Sequence, residues 1–416
     1  MKVSSKPYAA VAGGEHSIIR TRSGGVVSAG ACGLGWCRGE KLTEALFGWR
    51  RVVFPEPIRS VHASYYHNLS ISENGTLWSW GCGTFIDGNN DGIIPALGSA
   101  QSEDRGGQPQ VVPGIQGRAV SLSGGAYHSV VLNETGLVYT FGAGQLGQLG
   151  RSLTNVTTVD GAGLPVDPHP QPVEGIDASE EVTDIGASFY NTLVSCKSGA
   201  LYCSGENQNL QCGLANGQKN LHRMERVEEL IDTHIVKSRG GYCHNLMLDD
   251  EGNVIAMGCG DEGNRGDGIS EEEHDMKGGR PTSNYVTLPC PAKDIACGAN
   301  HSLILGVDGH VYSFGSDEYG QLGHAQGGGG NRGKEEEEDE ENVVLSPRRV
   351  ILPLAGNVVS ISAGYAHTTI TDCSGLVFMF GNNDSGQLGL NTSDISFTTH
   401  PTKAYDCDLD ELNVKL

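Results

Sequence analysis

An all-β fold, a seven-bladed β-propeller, is what this chain predicts, and three observations predict it. A short pattern returns seven times along the 416 residues, at His16, His67, His128, Asn191, His244, His301 and His367, spaced 51 to 66 residues apart. Every copy has one glycine eight residues later and another fourteen residues later, from Gly24 and Gly30 in the first to Gly375 and Gly381 in the last. Around those glycines lie short β-branched and aromatic runs, with no long stretch of helical periodicity.

Each copy reads as a small sheet. In the third, Ser129–Leu132 is an apolar run, Asn133–Gly136 a turn, and Leu137–Phe141 a second run closed by Gly142. Two such runs around a glycine turn predict a hairpin. Runs such as Val358–Ser362, just upstream of the histidine, supply an inner strand, and segments such as Pro347–Ile351 supply a fourth. Four strands in each of seven units make a propeller and a single domain, 1–416. The approximate repeats are 1–52, 53–110, 111–172, 173–228, 229–285, 286–345 and 346–416. Few residues precede the first histidine, so the C-terminal tail, from Thr399 onward, is expected to add a strand to the first blade and close the ring.

Composition limits the function. The net charge is −22, of which the run Glu335–Glu341 contributes −7. With no basic face, direct nucleic-acid binding is not expected, because affinity for a duplex comes mainly from Lys and Arg on phosphates. An acidic ring favours basic partners such as histones or the basic face of a small GTPase. Twelve cysteines without a Cys-x-x-Cys pair argue against a zinc site, and Cys203, Cys259 and Cys297 read as buried reduced thiols. No run approaches membrane-spanning length, so a monomeric nuclear or cytoplasmic protein without membrane insertion is expected. Neither a catalytic constellation nor a cofactor or metal motif rises above the repeat.

Breaks in the period mark insertions. Residues 325–342, a glycine-rich stretch followed by the acidic run, have nothing to bury and predict a disordered loop. The second copy departs most. After Trp78-Ser-Trp-Gly81 comes Cys82-Gly-Thr-Phe-Ile-Asp-Gly-Asn-Asn-Asp-Gly-Ile-Ile94, in place of the phrase Gly-Gln-Leu-Gly that follows the equivalent glycine in the third, sixth and seventh copies. Part of this segment fits the first half of a calcium-binding loop (Asp87, Asn89, Asp91, Gly92), but Gly98 stands where a bidentate glutamate is needed. An irregular Asn-Gly turn is a further reading.

The strings Ser362-Ala-Gly-Tyr-Ala-His367, Val377-Phe-Met-Phe-Gly381 and Asp384-Ser-Gly-Gln-Leu-Gly389 resemble the regulator-of-chromosome-condensation repeat, as does Tyr319-Gly-Gln-Leu-Gly323. The resemblance runs from about residue 8 to 390 and implies the propeller; the family includes exchange factors, light sensors and adaptors, so function must come from the site. In the family's exchange factor, a segment similar to that of the second copy forms a wedge against the nucleotide-binding face of the GTPase Ran. The resemblance places such a wedge at Thr84, Phe85, Asp87, Asn89, Asn90, Asp91, Gly92, Ile93 and Ile94. It also implies rim residues that contribute to exchange, by position His244, His367 and Asp384. Where the exchange factor has rim acids, this chain has Tyr65, Tyr66 and Tyr127, which with Phe189, Tyr190 and Tyr242 suit a general protein-binding face. The histidines His16, His67, His128 and His301 are expected to be structural, bonding blade to blade. Light-sensing members stack many tryptophans, whereas this chain has four. Two functions follow from the resemblance: nucleotide exchange on a Ran-like small GTPase, or a non-catalytic scaffold for chromatin, microtubule or ubiquitin-pathway regulators.

Overall fold

The computed structural model describes residues 9–31, 48–81, 84–87, 90–93, 97–98, 108–154, 156, 165–270, 273, 283–324, 342–353, 356–390 and 394–406. Among these, seven four-stranded antiparallel sheets and one separate two-stranded sheet account for all the strands. The first blade is β1 (Ala9–Ala12), β2 (His16–Arg20), β3 (Val26–Gly30) and β4 (Arg50–Val52). In the second, β5 (Ile58–Ala63), β6 (His67–Ser72) and β7 (Leu77–Gly81) are followed by the hairpin β8 (Thr84–Asp87) and β9 (Asn90–Ile93). Its outer strand β10 (Gln110–Val111) comes only after that hairpin. The remaining blades repeat the inner-to-outer order without such an addition.

The two periodic glycines serve different ends of each hairpin. In the third blade Gly136 sits in the turn at φ 87°, with open space where a side chain would be, while Gly142 has φ 121° and pairs with His128. A Cβ on Gly142 would meet the backbone oxygen of Tyr127 and the Cα of His128. In this blade the second glycine therefore lets the third strand pass close over the histidine, whereas the first only permits the turn.

Hydrophobic side chains gather between blades. Among the described residues there are seven buried clusters, and each joins two neighbouring blades. Between the fifth and sixth, Leu246, Val254, Ile295, Ile304 and Phe314 pack together. Phe314 is fully buried, so Phe314→Ala is expected to cost about 3–5 kcal/mol, the usual range for truncating a core phenylalanine. Chemical denaturation of the variant checks this. A loss below 1 kcal/mol would mean that the seam relaxes to fill the hole.

Ring closure differs from the sequence expectation. The tail strand Phe397–Asp406 pairs with Leu376–Asn382 as the outermost strand of the seventh blade and adds nothing to the first. The first copy lacks no strand: in every unit the fourth strand follows the third, and Arg50–Val52 fills that place beyond an insertion. The ring closes by packing. Ala10, Ile19 and Val27 of the first blade meet Val377, Met379 and Leu388 of the seventh. Trp49 donates from Nε1 to the Ala404 carbonyl at 3.1 Å, with its ring 5.3 Å from that of Tyr405.

Cysteines also depart from the reading as reduced thiols. Cys203 is bonded to Cys212 and Cys243 to Cys259, with Cα separations of 5.7 and 5.5 Å, while Cys297 is free. The partners are 9 and 16 residues apart in the chain and meet only through the folded blade. Cys243 and Cys259 flank His244 and Gly258, which face each other across two strands. Residues 325–341, most of the loop expected to be disordered, lie outside the described residues.

Candidate protein-docking face

The repeating histidines are wholly buried, and they form a belt. His16 Nε2 lies 2.5 Å from Asn68 Oδ1, His67 Nε2 2.8 Å from Ser129 Oγ, and His128 Nε2 3.1 Å from Thr192 Oγ1. His244 reaches Ser302 Oγ at 2.9 Å, His301 reaches Thr368 Oγ1 at 3.0 Å, and His367 reaches Ser17 Oγ at 2.9 Å. Each bond crosses to the next blade. The hydroxyls of Thr192, Ser302 and Thr368 donate their own protons to the carbonyls of Gln148, Asn264 and Gln321. They can then only accept from the imidazoles, so those rings are neutral with the proton on Nε2. Burial holds all six below the usual histidine range: His16 and His128 near 4, His244, His301 and His367 near 3, and His67 well below its ordinary value. Gln148 and Gln321 belong to the Gly-Gln-Leu-Gly phrase, which thus serves the belt.

This placement corrects the assignment of His244 and His367 to the rim. Both have no exposed surface and share the belt geometry of the other histidines, because the position is internal in every copy. Only the residues just before it reach the surface. Asp384, in a loop after the third strand, is exposed, and Tyr242 is 45% exposed; Tyr65 and Tyr127 are half-buried.

The register fixes which loops share a face. The turn before each histidine and the loop after the paired glycine lie at the same end of the blade, as with His67 and Gly81. The hairpin β8–β9 therefore leaves the second blade at the end that carries Tyr65 and Tyr66. It pairs within itself, Thr84 with Ile93 and Asp87 with Asn90, and with no strand of a blade. Thr84, Phe85, Asp87, Asn90, Asp91, Gly92 and Ile93 of the expected wedge are in its two strands; Asn89 and Ile94 lie outside the described residues.

On this face seven aromatic rings meet. Tyr65, Phe189, Tyr242 and Tyr365 stand two positions before the repeat position, and Tyr66, Tyr127 and Tyr190 one before. The Tyr65 ring is 5.1 Å from Phe189 and 5.2 Å from Tyr365, which places residues of the second, fourth and seventh blades against one another over the axis. Phe189 meets Tyr242 at 5.0 Å, and Tyr66 stacks on Tyr127 at 5.2 Å. Beneath them the inner strands of all seven blades enclose an axial cavity of about 250 Å³. Within it Lys237 pairs with Asp294 and Arg239 with Asp184, each at 2.8 Å, cross-linking blades four to six. Burial raises the phenols of Tyr65 and Tyr66 above the ordinary tyrosine range and pushes Tyr190 up to about 12, so these rings are uncharged. Tyr365 is a member of the cluster that sequence reading passed over. Its signal was its position, two before His367 as Tyr65 is two before His67.

Among the described residues no group of three or more metal-binding side chains occurs, and no helix is long and apolar enough to cross a membrane. What the face offers is contact area: a floor of aromatic rings, with a hairpin leaving the second blade at the same end.

The chain belongs to the RCC1-like domain family, whose profile matches residues 96–414. Among curated relatives, the mouse regulator of chromosome condensation is 28% identical over 72% of this chain and 68% of its own length. The Arabidopsis thaliana ultraviolet-B receptor UVR8 is 24% identical over 82% of this chain and 68% of its own. The chain spans a smaller share of others, 46% of the fission-yeast protein pim1 and 40% of human protein RCC2, which is 30% identical. Among solved structures, yeast RCC1 (Prp20) bound to Kap60 superposes with a TM-score of 0.73 at 20% identity, over 97% of this chain and 85% of that one. The family is shared by regulators with different roles.

Proposed function

We propose that this chain is a protein-docking propeller that promotes nucleotide release from a Ran-like small GTPase, using the hairpin Thr84–Ile93 as its wedge. The observation that carries this reading is the independence of the hairpin: it pairs with no strand of a blade and leaves the second blade at the end that also holds the aromatic floor. Two findings support it. The curated relatives include regulators of chromosome condensation, and the similar yeast protein Prp20p has binding properties to Gsp1p and histones. Exchange requires no bond chemistry. A surface that binds the nucleotide-free GTPase more tightly than the loaded one weakens the nucleotide by the same factor. Thr84, Phe85, Asp87, Asn90, Asp91, Gly92 and Ile93, with Asn89 and Ile94 between and beyond the strands, are the proposed contact residues. Tyr65, Tyr127, Tyr242 and Asp384 are the proposed rim.

Release of a fluorescent GDP analogue from Ran and a panel of small GTPases tests the reading. Micromolar propeller is expected to accelerate release from one of them at least tenfold. Replacing residues 84–93 with a short Gly-Ser linker should abolish the acceleration and leave the melting temperature within a few degrees, since the hairpin contributes no strand to a blade. Unchanged release across the panel would sink it.

One observation favours a scaffold instead. The floor presents Tyr65, Tyr66 and Tyr127 where the family's exchange factor carries acids, and aromatic rings recognise many partners. Partner binding that survives loss of the hairpin would select that reading.

A further inference from the structure

We propose that the centre of the aromatic floor is a receptor for a single cationic side chain, an arginine or lysine that a protein partner inserts over the ring axis. The inference deepens the reading above and rests only on its docking face, not on exchange. Four features carry it.

First, the rings are not packed away. Tyr242 and Tyr365 keep 45% and 44% of their surface exposed, and Tyr65 and Phe189 remain half-buried where they meet over the axis. Such large apolar exposure, gathered at one point, marks a contact site rather than scatter. Second, most of the mutual contacts are edge-on or tilted: 84° for Tyr65 on Tyr66, 69° for Tyr65 on Tyr365 and 70° for Phe189 on Tyr242. In a T-shaped cluster not every ring face is covered by its neighbour, and it is the face of an aromatic ring that attracts a cation.

Third, carboxylates surround the floor. Glu15 in the first blade is near enough to Tyr65, and Glu206 in the fourth near enough to Tyr190, to raise those phenols electrostatically. Glu318 of the sixth and Asp384 of the seventh act together on Tyr319, with Tyr365 beside them. These acids lie at the end of the blades that carries the floor, Glu15 just before a repeat position and Glu206, Glu318 and Asp384 just beyond a paired glycine. Fourth, the floor itself carries no charge, because burial keeps the Tyr65 and Tyr66 phenols protonated. A cation arriving there meets neutral ring faces below and anionic groups at the sides, the arrangement that selects a positive group over an apolar one. The net charge of −22 steers such a group toward the ring.

The test uses the full chain labelled with fluorotyrosine. The probe is a blocked pentapeptide, Gly-Gly-Arg-Gly-Gly, compared with the same peptide carrying citrulline, which keeps the shape of arginine and lacks its charge. The arginine peptide is expected to bind at least tenfold more tightly than the citrulline peptide and to shift the ring resonances. Phe189→Ala combined with Tyr65→Ala should weaken it about tenfold, while Tyr65→Phe, which keeps the ring, should not. Should the double variant fail to fold, the exposed Tyr242→Ala replaces it. Glu15→Gln, Glu206→Gln and Asp384→Asn together should weaken binding by a similar factor and flatten its salt dependence. Equal binding of the two peptides, or arginine binding that ignores the aromatic variants, overturns the proposal. Nucleotide release is measured on the same unsubstituted chain: accelerated release without preference for the arginine peptide defeats this inference alone, and preference for the arginine peptide without accelerated release defeats only the exchange reading.

Discussion

Acidification from pH 7 to about 5 is expected to unfold the ring. Seven histidines, the six buried ones of the belt and the half-buried His62 on the axial cavity, are held near 3 to 4 or lower by desolvation. In the unfolded chain each returns to the ordinary value near 6.5 and takes up a proton that the native state refuses. Their folded affinities for protons are depressed, so stability is full above about pH 6.5 and falls as the pH drops through the window down to about 4. Each proton is worth about 1.4 kcal/mol per pH unit, and seven together approach about 10 kcal/mol per unit, comparable with the whole stability of a typical domain. Asp317, lifted to about 6 by burial, works the other way, but it is one group against seven. Circular dichroism against pH checks this, with a steep transition expected between pH 6 and 4.5. His128→Asn should reduce the number of protons taken up by about one, since Asn191 shows that an amide fits the equivalent site. A transition confined below pH 4 would mean that carboxylates, not the belt, govern acid stability.

The second large effect separates two glycines that look alike in the sequence. Gly136→Ala is expected to cost about 1–2 kcal/mol, the strain of a left-handed backbone, since its Cβ would enter open space. Gly142→Ala adds to that strain a collision with the Tyr127 carbonyl and the His128 backbone, whose imidazole is bonded to the fourth blade. A loss of at least about 3 kcal/mol is expected, because the third strand must move off the histidine and open the seam. Urea denaturation of the two variants decides the matter. Equal losses would show that the close passage at Gly142 is soft and that backbone strain accounts for both.

Much of this architecture is legible in the spacing of residues. The interval from His128 to Gly136 and Gly142 is the length of one hairpin, and its recurrence counts the blades. The departure after Gly81 is visible as the absence of a phrase, and a separate hairpin stands there. Other features escaped because they depend on contacts between distant residues. Nothing in the order of the chain tells whether an outer strand near residue 400 pairs with the first blade or the seventh; the answer lies in Arg50–Val52 already occupying the edge. His244 and His367 read as rim residues by their position in the repeat, yet each opens a strand that is buried along its whole length, and the exposed aromatic sits two positions earlier, in the turn. The bond between Cys243 and Cys259 is hidden for the same reason, since only the pairing of His244 with Gly258 brings those sulfurs together.

The belt has a gap, and it gives the ring a grain. Asn191 stands where a histidine would be, and its amide turns back into its own blade, donating to the carbonyls of Ser204 and Glu206. The fourth and fifth blades are joined instead by Arg239 on Asp184 and by Ser195 against Ser238, none of which is an imidazole. Protons that prise apart the other six joints have no purchase on this one. When the circle breaks in acid, blades four and five should therefore part last, leaving a paired remnant around which the ring reassembles when neutrality returns.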